Sequence, residues 1–257
     1  MKFAKRSLGQ NFLKDYNVIN KITNLVDVYK KNIIEIGPGT GALTDIIIKK
    51  EPASLVLIEK DNSLYKKLKD KYKKNKIIKI YNSDILKFKQ KNLKLKNYII
   101  FGNLPYNISS QILVKIIKWP INFNDVIFMF QKELGEKIIG KFNTPHYGRL
   151  SILTNYRFKI ISKFLVSPNC FFPKPKVLSM VIHFKPKENF YKIRKISNLE
   201  KVTNILFSNK RKMINKNLRK LLRKVTIEKH LKLKLNLRPS DLTENNYYKI
   251  TELFEKK

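Results

Sequence analysis

At 257 residues the chain has room for one large domain, or for a large and a small one, and its 43% hydrophobic content supplies an ample core. Lysine and arginine total 55 against 19 acidic residues, and the formal charge of +36 points to a polyanionic partner, nucleic acid first, although Lys, Ile and Asn abound everywhere, as compositional drift would also produce. One cysteine, Cys170, excludes an internal disulfide and a cysteine-rich metal site, and His146, His183 and His230 lack ligand spacing. No segment reaches the roughly 18 uncharged apolar residues of a membrane span and the amino terminus has no apolar signal core, so we expect no metal, no membrane and a cytoplasmic location.

Residues 1–13 form a short basic arm ending in Gln10-Asn11-Phe12-Leu13. The arm suits phosphate contact, and its two amides either lie beside a ligand or cap the helix that follows. Val18, Ile19, Ile22, Leu25 and Val26 recur at helical spacing and predict a surface helix over about 18–28. The run from Asn32 to Ile36 then breaks into Gly37, Gly39 and Gly41 ahead of a second helix, the pattern of a strand, a tight turn and a helix N-terminus. This G-x-G-x-G spacing is neither the dinucleotide fingerprint nor a phosphate loop. With Glu35 just before the turn it is similar to the first motif of methyltransferases that use S-adenosylmethionine, whose carboxylate lies near the methionine end of the cofactor. A plain strand-to-helix joint is the alternative.

Leu55 to Ile58 predicts a strand ending at Glu59, 18 residues after Gly41. That is near the distance at which a second-strand carboxylate meets ribose hydroxyls in nucleotide-binding α/β folds, although a solvated strand end has the same residues. Residues 66–74 read as a solvated helix. A third strand over 77–81 leads to Asp84, which either receives an adenine amino group or forms a turn.

Tyr98 to Phe101 predicts the fourth strand, and Phe101-Gly102-Asn103-Leu104-Pro105-Tyr106-Asn107 sits at its carboxyl end, before a helix over about 108–119. In an open α/β sheet that edge binds ligands. Asn103 offers a neutral acceptor, Tyr106 a flat face for a base, and Pro105 a fixed backbone between them, a set suited to a planar substrate carrying an amino group. An ordinary Asn-Pro loop is the competing explanation. Four strand ends then present, in order, the glycines, Glu59, Asp84 and Asn103.

Val126 to Gln131 predicts a fifth strand leading into a helix over 133–139. A further helix begins near Tyr147 and presents Arg149 to phosphate or to an acidic neighbour. Strands over 160–166 and 178–184 form a hairpin, and His183 within it is expected to be structural. Between them, Cys170-Phe171-Phe172-Pro173-Lys174-Pro175-Lys176-Val177 exposes aromatics and lysines together on a proline-stiffened loop, with Phe172 expected to pack into the core. After Pro186 strand signals vanish. Helices are predicted near 199–207, 213–222, 227–231 and 245–254, with a basic stripe from Lys210-Arg211-Lys212 through Lys224 above Leu218, Leu221 and Leu222. We expect a catalytic domain over 1–186 and a helical, RNA-binding domain over 187–257.

With these residues assembled, the chain resembles the ribosomal RNA adenine dimethyltransferase family, and within it the bacterial small-subunit (16S) branch. Gln10 to Leu13, Glu35 to Gly39, Phe101 to Ser109, Tyr147 to Ser151, Phe172 to Val177 and Arg238 to Leu242 match its motifs in order and span nearly the whole chain. The resemblance implies an α/β, Rossmann-like class I S-adenosylmethionine-dependent methyltransferase with a mixed seven-stranded sheet and a small all-helical C-terminal domain. It implies transfer of four methyl groups to two adjacent adenines in a hairpin near the 3′ end of small-subunit ribosomal RNA, in a pre-30S particle; the enzyme is expected to be a monomer. It carries cofactor contacts to Asn11, Leu13, Glu35, Gly37, Gly39, Glu59, Asp84 and Asn103, and catalytic or target-base contacts to Asn103, Leu104, Pro105, Tyr106 and Phe171. Lys174 departs from the family where relatives often have a third proline, which bears on the stiffness of that loop.

Overall fold

The most apolar runs become the central strands of one sheet, where both faces are buried, while the edge strands β4 (Ile78–Asn82) and β7 (Phe158–Val166) keep exposed positions. A computed structural model describes residues 10–90, 93, 97–120, 123–188, 191–231 and 233–256, so the arm over 1–9 lies outside the described residues. Seven strands make the sheet: β2 (Asn32–Ile36), β3 (Ser54–Glu59), β4 (Ile78–Asn82), β5 (Tyr98–Asn103), β6 (Phe123–Gln131), β7 (Phe158–Val166) and β9 (Ser179–Pro186). Their order is β4-β3-β2-β5-β6-β9-β7. Parallel pairing joins β2 to β3 and β5, β3 to β4, and β5 to β6, while β9 runs antiparallel to β6, so the sheet is mixed. A separate two-stranded ribbon pairs β1 (Phe12–Leu13) with β8 (Phe171–Phe172).

Helices α1 (Tyr16–Thr23), α2 (Ala42–Lys49) and α3 (Asn62–Tyr72) bring Ile19, Ile22, Leu43, Ile46, Ile47 and Leu68 into one cluster with Ile33, Leu55, Leu57, Ile99, Phe101 and Ile127 of the sheet. By strand alternation Ile34, Val56, Ile58, Ile100 and Phe128 lie on the opposite face, and all are buried too. Helix α4 (Ser109–Ile117) follows β5, and α5 (Lys132–Ile138) follows β6. The chain leaves β2 toward β3 and β4 and then returns to pair β5 on the other side of β2, which creates the switch point where α/β sheets bind ligands.

Helix boundaries differ modestly from the periodicity. α1 stops at Thr23, short of the predicted 28, and starts at the Asp15 cap, whose carboxylate accepts the Val18 N–H at 3.0 Å. α3 begins earlier than expected because Asp61 caps it, accepting from the N–H groups of Ser63 and Leu64.

The chain divides into two units, residues 1–135 with 159–186, and residues 136–158 with 187–257. One break in this division falls after Pro186. Segment 136–158, counted with the first domain on sequence grounds, groups instead with the helices. The reason lies in partners far along the chain: in α6 (Arg149–Arg157), Arg149 pairs with Glu200 of α7 (Ile196–Phe207) at 3.2 Å, and the nearby Tyr147 hydroxyl donates to the Leu242 carbonyl at 2.9 Å. Of the two partners open to Arg149, it is the acidic neighbour that it meets. In this unit α8 (Asn215–Leu221) and α9 (Glu244–Glu255) complete the packing, with Leu199, Val202, Leu218, Leu221, Tyr247 and Ile250 fully buried. Arg211, Lys212, Lys216, Arg219, Lys220 and Arg223 stand exposed above Leu218, Leu221 and Leu222, as the stripe predicted.

Candidate active site

The glycine turn is open because three residues in it have positive φ, which side-chain-bearing residues adopt at a cost. A Cβ at Gly39 would sit 2.9 Å from the Phe12 ring. At Gly37 it would meet only the Asn103 carbonyl oxygen, at 3.9 Å, so this turn leaves a cradle between two strand ends. The cradle opens into a cleft of about 1150 Å³, its open mouth included, which falls entirely within the first unit. Asn11, Leu13, Glu35, Gly37, Gly39, Glu59, Asp84, Asn103, Leu104, Pro105 and Tyr106 all line it.

Each carboxylate in the cleft has its own environment. Glu35 is fully buried, and desolvation pushes its pKa up to about 8, against the Thr44 hydroxyl that donates to it at 2.6 Å; Asp45 and Glu59 push the same way and Lys71 opposes. Glu59 is also raised by burial, while the N–H groups of Asp61 at 2.8 Å and Gly39 at 3.2 Å favour its charged form. It therefore holds the glycine turn in place from the next strand. Burial works on Asp84 as well, but the Lys60 ammonium at 2.9 Å and the Leu86 N–H at 2.8 Å outweigh it and leave its pKa below the usual value.

At the end of β5 the Asn103 amide nitrogen donates to the Asn11 carbonyl at 2.9 Å, which ties the start of the β1 segment to the fourth strand edge. That bond commits the donor end of the amide and turns Oδ1 into the end available to a ligand's N–H. Tyr106 is held by its hydroxyl, which shares a 2.6 Å hydrogen bond with the Ser179 hydroxyl. Burial raises the Tyr106 pKa, with Ser179 opposing, so the phenol is neutral and its ring is a fixed surface. Leu104 is 2% exposed and holds this loop against the core.

Phe171 is the one expected site residue that does not line the cleft. It packs in the core cluster with Leu13 and Val166, because the ribbon register sets Phe171 opposite Leu13 and alternation turns both inward. Phe172, expected in the core, is instead 45% exposed. The two neighbouring rings have exchanged the environments read from sequence. His183 bonds Asp125 at 2.7 Å in the sheet, a structural pairing as expected.

Several contributors were not singled out in the sequence. Ser179 aligns Tyr106, Thr44 bonds Glu35, Lys60 pairs with Asp84, and Asp61 receives the Gln10 amide at 3.3 Å. Only Asp61 carried a local signal, as an acidic residue three positions before a leucine in a helical pattern. Among the described residues, no helix is long and apolar enough to cross a membrane.

Comparison with known proteins places this geometry. The family model described as "Ribosomal RNA adenine dimethylase" matches residues 1–256. A "Ribosomal RNA small subunit methyltransferase A" from Pelagibacter ubique is 43% identical over 260 residues, covering 98% of this chain and 97% of that protein. One of the same description from Malacoplasma penetrans is 40% identical, covering 96% and 91%. Among solved structures, a dimethyladenosine transferase from Plasmodium falciparum aligns with a TM-score of 0.79 at 25% identity, covering 95% of this chain and 98% of that one. The 23S rRNA methyltransferase ErmE aligns with a TM-score of 0.66 at 21% identity, a likeness of fold. With its model matched from end to end and its mixed seven-stranded sheet that of class I methyltransferases, the chain belongs to the ribosomal RNA adenine dimethylase family.

Proposed function

We propose that the chain is an S-adenosylmethionine-dependent dimethyltransferase acting on the N6 amino groups of two adjacent adenosines in the 3′-terminal hairpin of small-subunit ribosomal RNA, within a pre-30S particle. The observation that carries this is the Asn103 amide, pinned by the Asn11 carbonyl at 2.9 Å in a cleft shared with Glu35, Glu59 and Asp84. The residues fit the cofactor by chemistry: Glu59 can accept from ribose hydroxyls, Asp84 from an adenine amine, and Glu35, beside the Gly37 cradle, would hold the methionine end. When bound, S-adenosylmethionine supplies an electrophilic sulfonium methyl.

What remains for the protein is to make an aromatic amine nucleophilic. The adenine nitrogen delocalises its lone pair into the ring, and that conjugation is what the site has to loosen. Asn103 Oδ1 and the Leu104 carbonyl accept its two N–H groups in directions that favour a pyramidal nitrogen with its lone pair toward the methyl donor. Pro105 fixes the backbone between them, and Tyr106 supplies a ring face for the base extruded from its stack. Alignment and these fixed dipoles lower the barrier, and no strong base is needed because the nitrogen becomes acidic as it gains positive charge.

Mapping methylated adenines after incubation with purified small and large ribosomal subunits tests the substrate. Modification of the small-subunit hairpin supports the reading, and modification of the large subunit alone sinks it. Asn103→Ala is expected to lower kcat by about 100-fold or more while RNA binding persists. Near-normal turnover in a radiolabelled-methyl assay removes Asn103 from the chemistry.

A further inference from the structure

Of the three carboxylates that line the cleft, Glu35 has the least support for a negative charge. Glu59 accepts from the N–H groups of Asp61 and Gly39, and Asp84 from the Lys60 ammonium and the Leu86 N–H. Glu35 is 1% exposed and, among the described residues, accepts one hydrogen bond, from the Thr44 hydroxyl at 2.6 Å. The residues beside it on the neighbouring strands, Leu57 and Phe101, are apolar. Among the described residues, the charged and titratable groups facing it are Asp45 of α2, Glu59 of β3, and Tyr72 and Lys71 of α3. The Lys71 ammonium is already paired with Asp45 at 2.5 Å. A carboxyl group taken out of water beside two other carboxylates holds its proton, and burial accordingly pushes the Glu35 pKa up to about 8.

We propose that Glu35 is protonated in the free enzyme and releases its proton to solvent as the α-ammonium of S-adenosylmethionine reaches it, which makes cofactor binding a proton-releasing step. The inference rests on the cofactor assignment and adds the group that answers the positive charge of the methionine end. The incoming ammonium supplies the counter-charge that the fold leaves out, and the resulting pair is shielded from water, where a lone charge is costly. One proton leaves for each cofactor bound, and no covalent bond between heavy atoms changes. The adenosine part meets Glu59 and Asp84 in the same reading, so any proton those two exchange is common to every adenosine ligand.

Calorimetry of the intact protein in two buffers of different ionisation enthalpy counts the protons. At about pH 6.5, S-adenosylmethionine is expected to release about one proton more than 5′-methylthioadenosine, which has the adenosine and lacks the ammonium. Between about pH 6 and 7.5 the Kd for S-adenosylmethionine should fall, relative to that for methylthioadenosine, by up to about tenfold per pH unit. Glu35→Gln should bind S-adenosylmethionine more weakly, with no excess proton and a flat pH profile. In the wild type, the infrared band of a buried protonated carboxyl group should vanish with S-adenosylmethionine and persist with methylthioadenosine, a comparison that does not depend on the variant folding. Equal proton release by the two ligands, or an excess proton retained in Glu35→Gln, overturns the proposal. Failure of the cofactor assignment looks different: S-adenosylmethionine then gives no saturable heat in either buffer and both readings fall, whereas binding without the excess proton strikes this one alone.

Discussion

The chemistry of the cleft turns on a few side chains whose second partners fix them. In the mechanism we propose, Asn103 acts with one end of its amide committed to Asn11 and Tyr106 with its hydroxyl held by Ser179. Ser179→Ala is therefore expected to lower kcat/KM several-fold with little change in the melting temperature, as measured by steady-state kinetics beside thermal denaturation; Ser179→Thr, which keeps the hydroxyl, should recover activity. Glu35 gives a pH signature. Its folded pKa of about 8 lies above its ordinary value of 4.5, so the folded state keeps a proton that the unfolded chain releases. The stabilisation is fully present below about pH 4.5 and is lost as pH rises toward 8, with a slope of at most about 1.4 kcal/mol per pH unit. Denaturant midpoints between pH 5 and 8 should thus fall for the wild type relative to Glu35→Gln, which stays neutral and can still accept from Thr44. A pH-independent difference between the two would contradict this.

At the scale of elements, the site is assembled by short segments tied to strand ends. Asp61 is the clearest case: it caps α3, accepts from the Ser63 hydroxyl at 2.6 Å, receives the Gln10 amide, and lends its N–H to Glu59. Asp61→Ala is expected to destabilise the protein by about 1 kcal/mol through the lost cap. It should also weaken S-adenosylmethionine binding measured by calorimetry, because the 10–13 segment loses an anchor. Asp61→Asn, another good cap, should keep most of the stability. Much of this level was legible in sequence, since the strand runs, the glycine turn and the four strand ends that line the cleft follow from local patterns. The α3 start was missed because Lys-rich periodicity masked its cap, and the 136–158 segment was misplaced because its partners, Glu200 and Leu242, are distant in the chain.

For the whole molecule the charge of +36 sets how it meets RNA. Each phosphate neutralised by Lys or Arg releases counterions, so log K for RNA should fall linearly with log salt, by about 0.7 to 0.9 per contact. Replacing Lys216, Arg219 and Lys220 with Gln should make that slope shallower by about 2 to 3 if all three contact phosphate, with S-adenosylmethionine affinity unaffected. A slope unchanged by these substitutions would assign the stripe to compositional drift rather than to an RNA footprint.

The sequence by itself determined the α/β alternation, the carboxylates at the strand ends, the Asn103 loop and the basic helices, because each is encoded within a dozen neighbouring residues by periodicity, glycine placement or charge. Only the tertiary structure decided which ring of Phe171-Phe172 is buried, what holds Asn103 and Tyr106, and where residues 136–158 belong. Those outcomes depend on pairing across long stretches of chain. A one-residue step in the register of β1 against β8 exchanges the inner and outer faces of the ribbon, and no local pattern in two adjacent phenylalanines can say which of them turns inward.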